Sequence, residues 1–150
     1  METIQTQKLE VVNRTKKEAI EAIKTLREFM PSNQIQAIAN AMRREEKQFF
    51  FNKVCELAEM IKNMPKTYEQ DGKGRKAIAY LHYFRGNMDW YITEKDKGSP
   101  EDHRQVQAFG LADLEYGAEL GYISIVELLE NQIEMDMYFA PTALENIKER

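Results

Sequence analysis

The apolar residues of this chain change their period at Pro65, and that change constrains the fold more than any other feature of the sequence. Before it, apolar positions recur every three or four residues, the spacing that lines up one face of a helix. After it they alternate, which puts every second side chain on one face of a strand. Helices followed by strands specify an α+β architecture. At 150 residues the chain needs no second domain. Residues 1–64 form the helical segment and residues 65–150 the sheet segment of a single domain.

Thr15 and Glu18 make a capping-box pattern ahead of Ala19, Ile23, Leu26 and Met30, which predicts a helix over about 15–30 that stops at Pro31. Ser32 or Asn33 caps a second helix, to about residue 42, with Ile35, Ile38, Ala39 and Met42 on one stripe. A third, from about Arg44 to residue 63, stacks Phe50, Val54, Leu57 and Ile61, with Cys55 on its apolar side and Phe49 and Phe51 widening the stripe. The segment "PKTYEQDGKGRK" is turn chemistry. Ala77 to Phe84 and Asp89 to Lys95 then read as two strands joined through Gly86-Asn87. Val106 to Leu111 and Glu119 to Ile123 are further strand candidates. Ser124 with Glu127 starts a short crossover helix, Ile133 to Phe139 is a final strand, and Pro141 and Thr142 open a terminal helix ending near Lys148. The expected fold is three helices, then a mostly antiparallel sheet with a short crossover helix and a C-terminal helix.

Mean hydropathy of -0.62, with no apolar run near 18 residues, excludes a membrane-spanning helix. The N-terminus lacks a secretory pattern and the lone Cys55 has no partner for an internal disulfide, so a cytoplasmic location is expected. The net charge of -4 hides an asymmetry: residues 1–88 carry 16 Lys+Arg against 11 Asp+Glu, and residues 89–150 carry 5 against 14. The acidic half is poorly suited to a phosphate backbone and well suited to a basic protein surface. Glu115, Glu119, Glu127, Glu130, Glu134 and Asp136 fall within 22 residues that hold no Lys or Arg. The alternation of "IEMDMYF" places Glu134 and Asp136 together on the solvent side, and these six carboxylates are the predicted partner-binding surface.

The stretch "LHYFRGNMDWYITEKD", Leu81 to Asp96, concentrates aromatic and titratable residues. Alternation puts His82 and Phe84 on one face of the first strand, and Trp90, Ile92 and Glu94 on one face of the second. His82, Trp90 and Glu94 form an alternative ligand face, suited to a small hydrolase or transferase, although Trp90 is also expected to be buried against the core. With two histidines, no cysteine pair and no H-x-x-x-H spacing, neither a metal nor a cofactor is predicted. "DGKGRK" lacks the spacing of a phosphate-binding loop, but Lys66, Lys73, Arg75 and Lys76 offer an alternative contact for nucleic acid.

Four separated segments, "MPKTYEQDGKG", "LHYFRGNMDWYITEKD", "QAFGLADLEYGAELGYISIVELL" and "EMDMYFAPTALENI", resemble the bacterial domain of unknown function 2958 family over residues 63–147. The likeness lies in a strand ending W-Y-x-T-E, an F-G-L step, an E-L-G-Y-[IF]-S segment and a late aromatic-x-P-x-x-L close. It implies no reaction and carries over no catalytic residue. It does imply an accessory protein of phages, plasmids or integrated elements, acting in the host cytoplasm by protein–protein interaction. The implied target is a host protein or protein–nucleic-acid complex with a basic surface, such as a CRISPR or restriction system. The enzyme and DNA-associated alternatives stay open.

Overall fold

The computed structural model describes residues 12–148. Three helices come first, α1 (Lys16–Leu26), α2 (Ser32–Ala41) and α3 (Lys47–Asn63). The strands are β1 (Ile78–Ala79), β2 (Leu81–Arg85), β3 (Met88–Glu94), β4 (Ala108–Leu114), β5 (Gly117–Ile123), β6 (Glu134–Met135) and β7 (Thr142–Ala143), with α4 (Ile125–Glu130) between β5 and β6. The architecture is α+β as expected, and the C-terminal helix is a single 3₁₀ turn, Leu144–Asn146.

Local chemistry accounts for most of the boundaries. Thr15 Oγ1 accepts from the Glu18 N–H at 3.1 Å, and the Glu18 carboxylate accepts from the Thr15 N–H at 3.2 Å, so the capping box forms. Ser124 caps α4 with half of that pattern, its Oγ accepting from the Glu127 N–H at 3.2 Å. At α2 neither Ser32 nor Asn33 caps with its own side chain. Gln132, remote in sequence, accepts from the Asn33 N–H and donates to Ser32 Oγ, each at 3.2 Å. A ten-residue helix is marginal alone, and burial of Ile35 and Ile38, worth about 1.5–3 kcal/mol each, holds it in place. Lys95 caps the other end of the bundle: its Nζ donates to the Ile61 and Lys62 carbonyls at 2.7 and 3.1 Å, at the C-terminus of α3.

The main sheet runs β5-β4-β3-β2-β6 and all its pairs are antiparallel. One face, with Leu81, Tyr83, Ile92, Ala108, Ile123 and Met135, packs on the helices in the larger core. Tyr83 is fully enclosed there, its hydroxyl donating to the Phe29 carbonyl, and burial pushes its phenol far above the ordinary range. The other face, with Tyr91 and Leu111, is covered by the β1–β7 ribbon and Leu144 in a second, smaller core. Cys55 lies in the larger core at 4% exposure, and burial raises its thiol. Native protein should therefore react with a thiol reagent roughly 100-fold more slowly than unfolded protein. Labelling at the unfolded rate would place Cys55 at an opening in the bundle.

Several boundaries differ from the sequence expectation. The strand expected over 77–84 divides at Tyr80, where the chain leaves β7 and joins β3. The strand expected over 133–139 shrinks to Glu134–Met135: the Asp136 N–H still bonds the His82 carbonyl of β2, but the chain then turns, with Asp136 Oδ1 accepting from the Tyr138 N–H. The expected start of β4 at Val106 moves to Ala108, since the Gln105 carbonyl is taken by the N–H groups of Ile125 and Val126. Trp90 is half-buried, not enclosed: it packs against the larger core beside Ala112, whose methyl leaves part of the ring uncovered.

Candidate functional site

The register of the β2–β3 hairpin decides which side chains meet. His82 pairs with Tyr91, and Tyr83 pairs with Trp90. Directly opposed residues share a face, so His82 and Trp90 lie on opposite sides of the sheet. Glu94 lies three residues beyond Tyr91, roughly 10 Å along the strand, and a β-bulge between Ile92 and Glu94 breaks the alternation. The expected ligand face of His82, Trp90 and Glu94 therefore does not assemble. Each residue belongs to a different neighbourhood.

His82 is held between two carboxylates. Its Nε2 meets Asp89 Oδ1 at 2.7 Å and its Nδ1 meets Asp136 Oδ2 at 3.2 Å. The ring stacks on Tyr91, centroids 4.6 Å apart and 8° from parallel, and Phe139 and Phe84 tilt against it at 5.6 and 5.7 Å. Asp136 reaches this position because its backbone N–H donates to the His82 carbonyl at 2.8 Å and its Oδ1 accepts from the Tyr138 N–H at 2.9 Å, a local turn that outcompetes the ladder. With both ring nitrogens engaged by carboxylates, His82 presents none to a substrate, as a general base must. The cluster pins β6 to the hairpin. Beside it runs a groove of about 800 Å³, lined by Asp89, Tyr91, Asp113 and Glu145 together with Arg75 and Lys148. The groove carries both signs of charge.

Glu94 acts elsewhere. At 4% exposure, its carboxylate accepts from the backbone N–H groups of Tyr68 at 2.9 Å and Gln70 at 2.5 Å. Gln70 in turn bonds the Ile78 N–H and the Ile78 and Thr93 carbonyls, each at 2.8 Å. These bonds fix the 66–74 loop and hold Tyr68 at φ 78, a left-handed conformation that a bulky residue rarely adopts. Its hydroxyl lies 2.6 Å from that of Tyr122 on β5.

The six predicted partner-binding carboxylates are dispersed. Glu115 lies in the β4–β5 turn and Glu119 on β5, at one edge of the sheet, while Glu134 lies on β6 at the other. Four strand spacings separate the edges, roughly 19 Å. Asp136 faces His82, not solvent with Glu134. Glu127 and Glu130 are exposed on α4, where Glu130 shares a groove with Arg27 and Arg104. The basic residues are exposed but also divided. Lys66 lines a cleft with Lys62, Lys95 and Lys97, Arg75 lines the groove beside Asp89, Lys73 lies on the loop between them, and Lys76 ends a 3₁₀ turn next to Arg75.

A family model for proteins of unknown function, DUF2958, matches residues 53–145, well over half of the chain. The chain belongs to the DUF2958 family. No curated protein and no solved structure matches it. The DUF2958 match begins inside α3 and takes in all seven strands, so the second half of α3 belongs with the sheet it covers. Sequence reasoning missed Asp89, Tyr91, Tyr68, Phe109 and Tyr122, all inside the DUF2958 region. For Asp89 a signal existed, since a carboxylate opening an aromatic strand needs a partner once buried. Nothing local marked Tyr68 or Tyr122, whose juxtaposition depends on a loop closing against a strand 54 residues away. Among the described residues no helix is long and apolar enough to cross a membrane.

Proposed function

We propose that this DUF2958 protein works by binding another macromolecule, a protein or protein–nucleic-acid complex with a Lys/Arg-rich surface. The setting that the family resemblance supports is a mobile-element accessory protein that blocks a host defence assembly such as a CRISPR or restriction complex. The observation that carries the binding role is the free edge of β5. This seven-residue strand pairs with β4 on one side and, among the described residues, with no strand on the other. Edge strands are commonly blunted by Lys or Pro, and β5 contains neither. It exposes Leu120 and Tyr122, and its hairpin tip presents Tyr116 at 99% exposure.

An open ladder of N–H and C=O groups is a template for an added strand. The surroundings select a cationic one: from Gln105 to Ile147 the chain has eight acidic residues and no Lys or Arg. Glu115 and Glu119 flank the edge itself, whereas Asp136 is committed to His82, so charge reversal belongs at the first two. Immobilised protein should retain a partner from bacterial lysate at low salt and release it as salt rises. The Glu115→Lys/Glu119→Lys variant, melting normally, should associate at least about ten-fold more slowly. Recovery of the bait alone, or unchanged association by the variant, would remove this reading.

A further inference from the structure

We infer that the cleft between the 66–74 loop and the β4–β5 hairpin receives an alkylammonium group, the side chain of a lysine on the segment that docks along β5. The assignment deepens the docking role proposed above and rests on it for the source of the lysine. The cleft holds about 320 Å³ and is lined by Tyr68, Phe109, Leu120 and Tyr122, with Glu94 and Asp71 among the other lining residues. Among the described residues, no Lys or Arg lines it. Its depth is graded. Tyr68 and Tyr122 are exposed at 58% and 55%, Phe109 is half-buried, and Glu94 and Thr93 are enclosed at 4% and 1%. A long side chain entering between the rings meets a carboxylate at the end of its path.

The rings are arranged for a cation. Phe109 and Tyr122 stand edge to face, 5.7 Å between centroids and 89° between planes, so their π faces point in different directions. Tyr68 adds a third ring, held beside Tyr122 by the hydroxyl contact of 2.6 Å. Each face carries negative charge density that attracts an ammonium within about 6 Å. The buried Glu94 supplies the counter-charge, fixed in place by the two backbone N–H groups it accepts. The hydrogen bond with Tyr68, desolvation, and the nearby Asp71 and Glu94 charges push the Tyr122 phenol up. The unusual backbone at Tyr68 fits the same purpose, since Glu94 holds the loop in the conformation that brings this ring to the cleft.

Other ligand classes fit less well. An anion would meet Glu94 and Asp71, and a purely apolar group would leave Glu94 facing it without a cation. Lys73 lies between the lining residues Gly72 and Gly74 but is itself exposed and outside the lining. It opposes an incoming cation through space.

The test is an amide NMR titration of the full chain with Nα-acetyl-lysine methylamide, against the norleucine analogue as the neutral isostere. The lysine probe should move the resonances of Tyr68, Gln70, Phe109 and Tyr122 saturably, with affinity at least about five-fold above norleucine. Tyr122→Leu and Phe109→Leu should each weaken it about five-fold, Phe109→Tyr should retain it, and Lys73→Gln should tighten it about two-fold. Thermal melting of each variant identifies any that fail to fold, and the Lys73→Gln result needs no change to the cleft. Equal response to norleucine, or lysine-induced shifts centred on Glu115 and Glu119 with none at the cleft, would overturn the assignment. Because the docking role is tested at Glu115 and Glu119, a chain that binds its partner but ignores the lysine probe loses the pocket assignment alone.

Discussion

Gly110→Ala is expected to lower the stability of this protein by about 3 kcal/mol or more, roughly a 10 °C fall in melting temperature for a chain of this length. A Cβ built on Gly110 would sit 1.9 Å from the Tyr91 carbonyl oxygen, 2.9 Å from its carbonyl carbon and 3.0 Å from Ile92 Cα. All three are backbone atoms of β3, so no rotamer change relieves the contact and the two central strands must part. They would part next to the bulge between Ile92 and Glu94, which is also where Glu94 leaves the sheet to hold the 66–74 loop. The F-G-L step in the sequence thus has a physical cause in the close approach of β3 and β4. Gly121 provides the control: it pairs with Gly110 across β5, yet a Cβ there meets nothing within 4 Å. Gly121→Ala should change stability by no more than about 0.5 kcal/mol. Denaturant titration of both variants decides the matter, and a Gly110→Ala protein as stable as wild type would mean that β3 and β4 separate without cost.

Removing His82 should be nearly as damaging. His82→Ala deletes the ring that engages both Asp89 and Asp136, and removes the 2.7 Å contact it makes with Asp89, which is 3% exposed. Loss of one member of a buried pair costs about 3 kcal/mol. His82→Phe should recover part of this through stacking on Tyr91 but none of the hydrogen bonding. A cycle with Asp89→Ala should give a coupling of at least about 1 kcal/mol, because the residues share one network. Single variants that melt like wild type would contradict the structural role. A variant that melts higher would suggest that the cluster stores strain, as functional sites do.

The alternating stretch from Leu81 to Asp96 illustrates how far local pattern reaches. It correctly specified a hairpin, because aromatic and β-branched residues on a period of two, closed by Gly86-Asn87, satisfy a requirement that extends over a few residues. It could not specify the side chains that meet, because that depends on register and on a bulge. The hairpin set His82 against Tyr91 and sent Trp90 to the other face, and the bulge sent Glu94 to the loop at Tyr68. The acidic residues repeat the lesson. Glu119 and Glu134 are close in sequence, but strand order places them at opposite edges of the sheet.

What the sequence by itself determined was therefore everything set by short-range physics: the change of period at Pro65, the caps at Thr15 and Ser124, the hairpin, and the α+β class. The tertiary structure alone decided the capping of α2 by Gln132, the capture of His82 by Asp136 at a separation of 54 residues, and the aromatic cleft closed by Tyr68 and Tyr122. The physical reason is the range of the interactions. Dihedral preferences and caps act within a turn or two, whereas these contacts exist only after the chain has paid loop entropy and fixed its register, and burial then selects which polar groups must find partners.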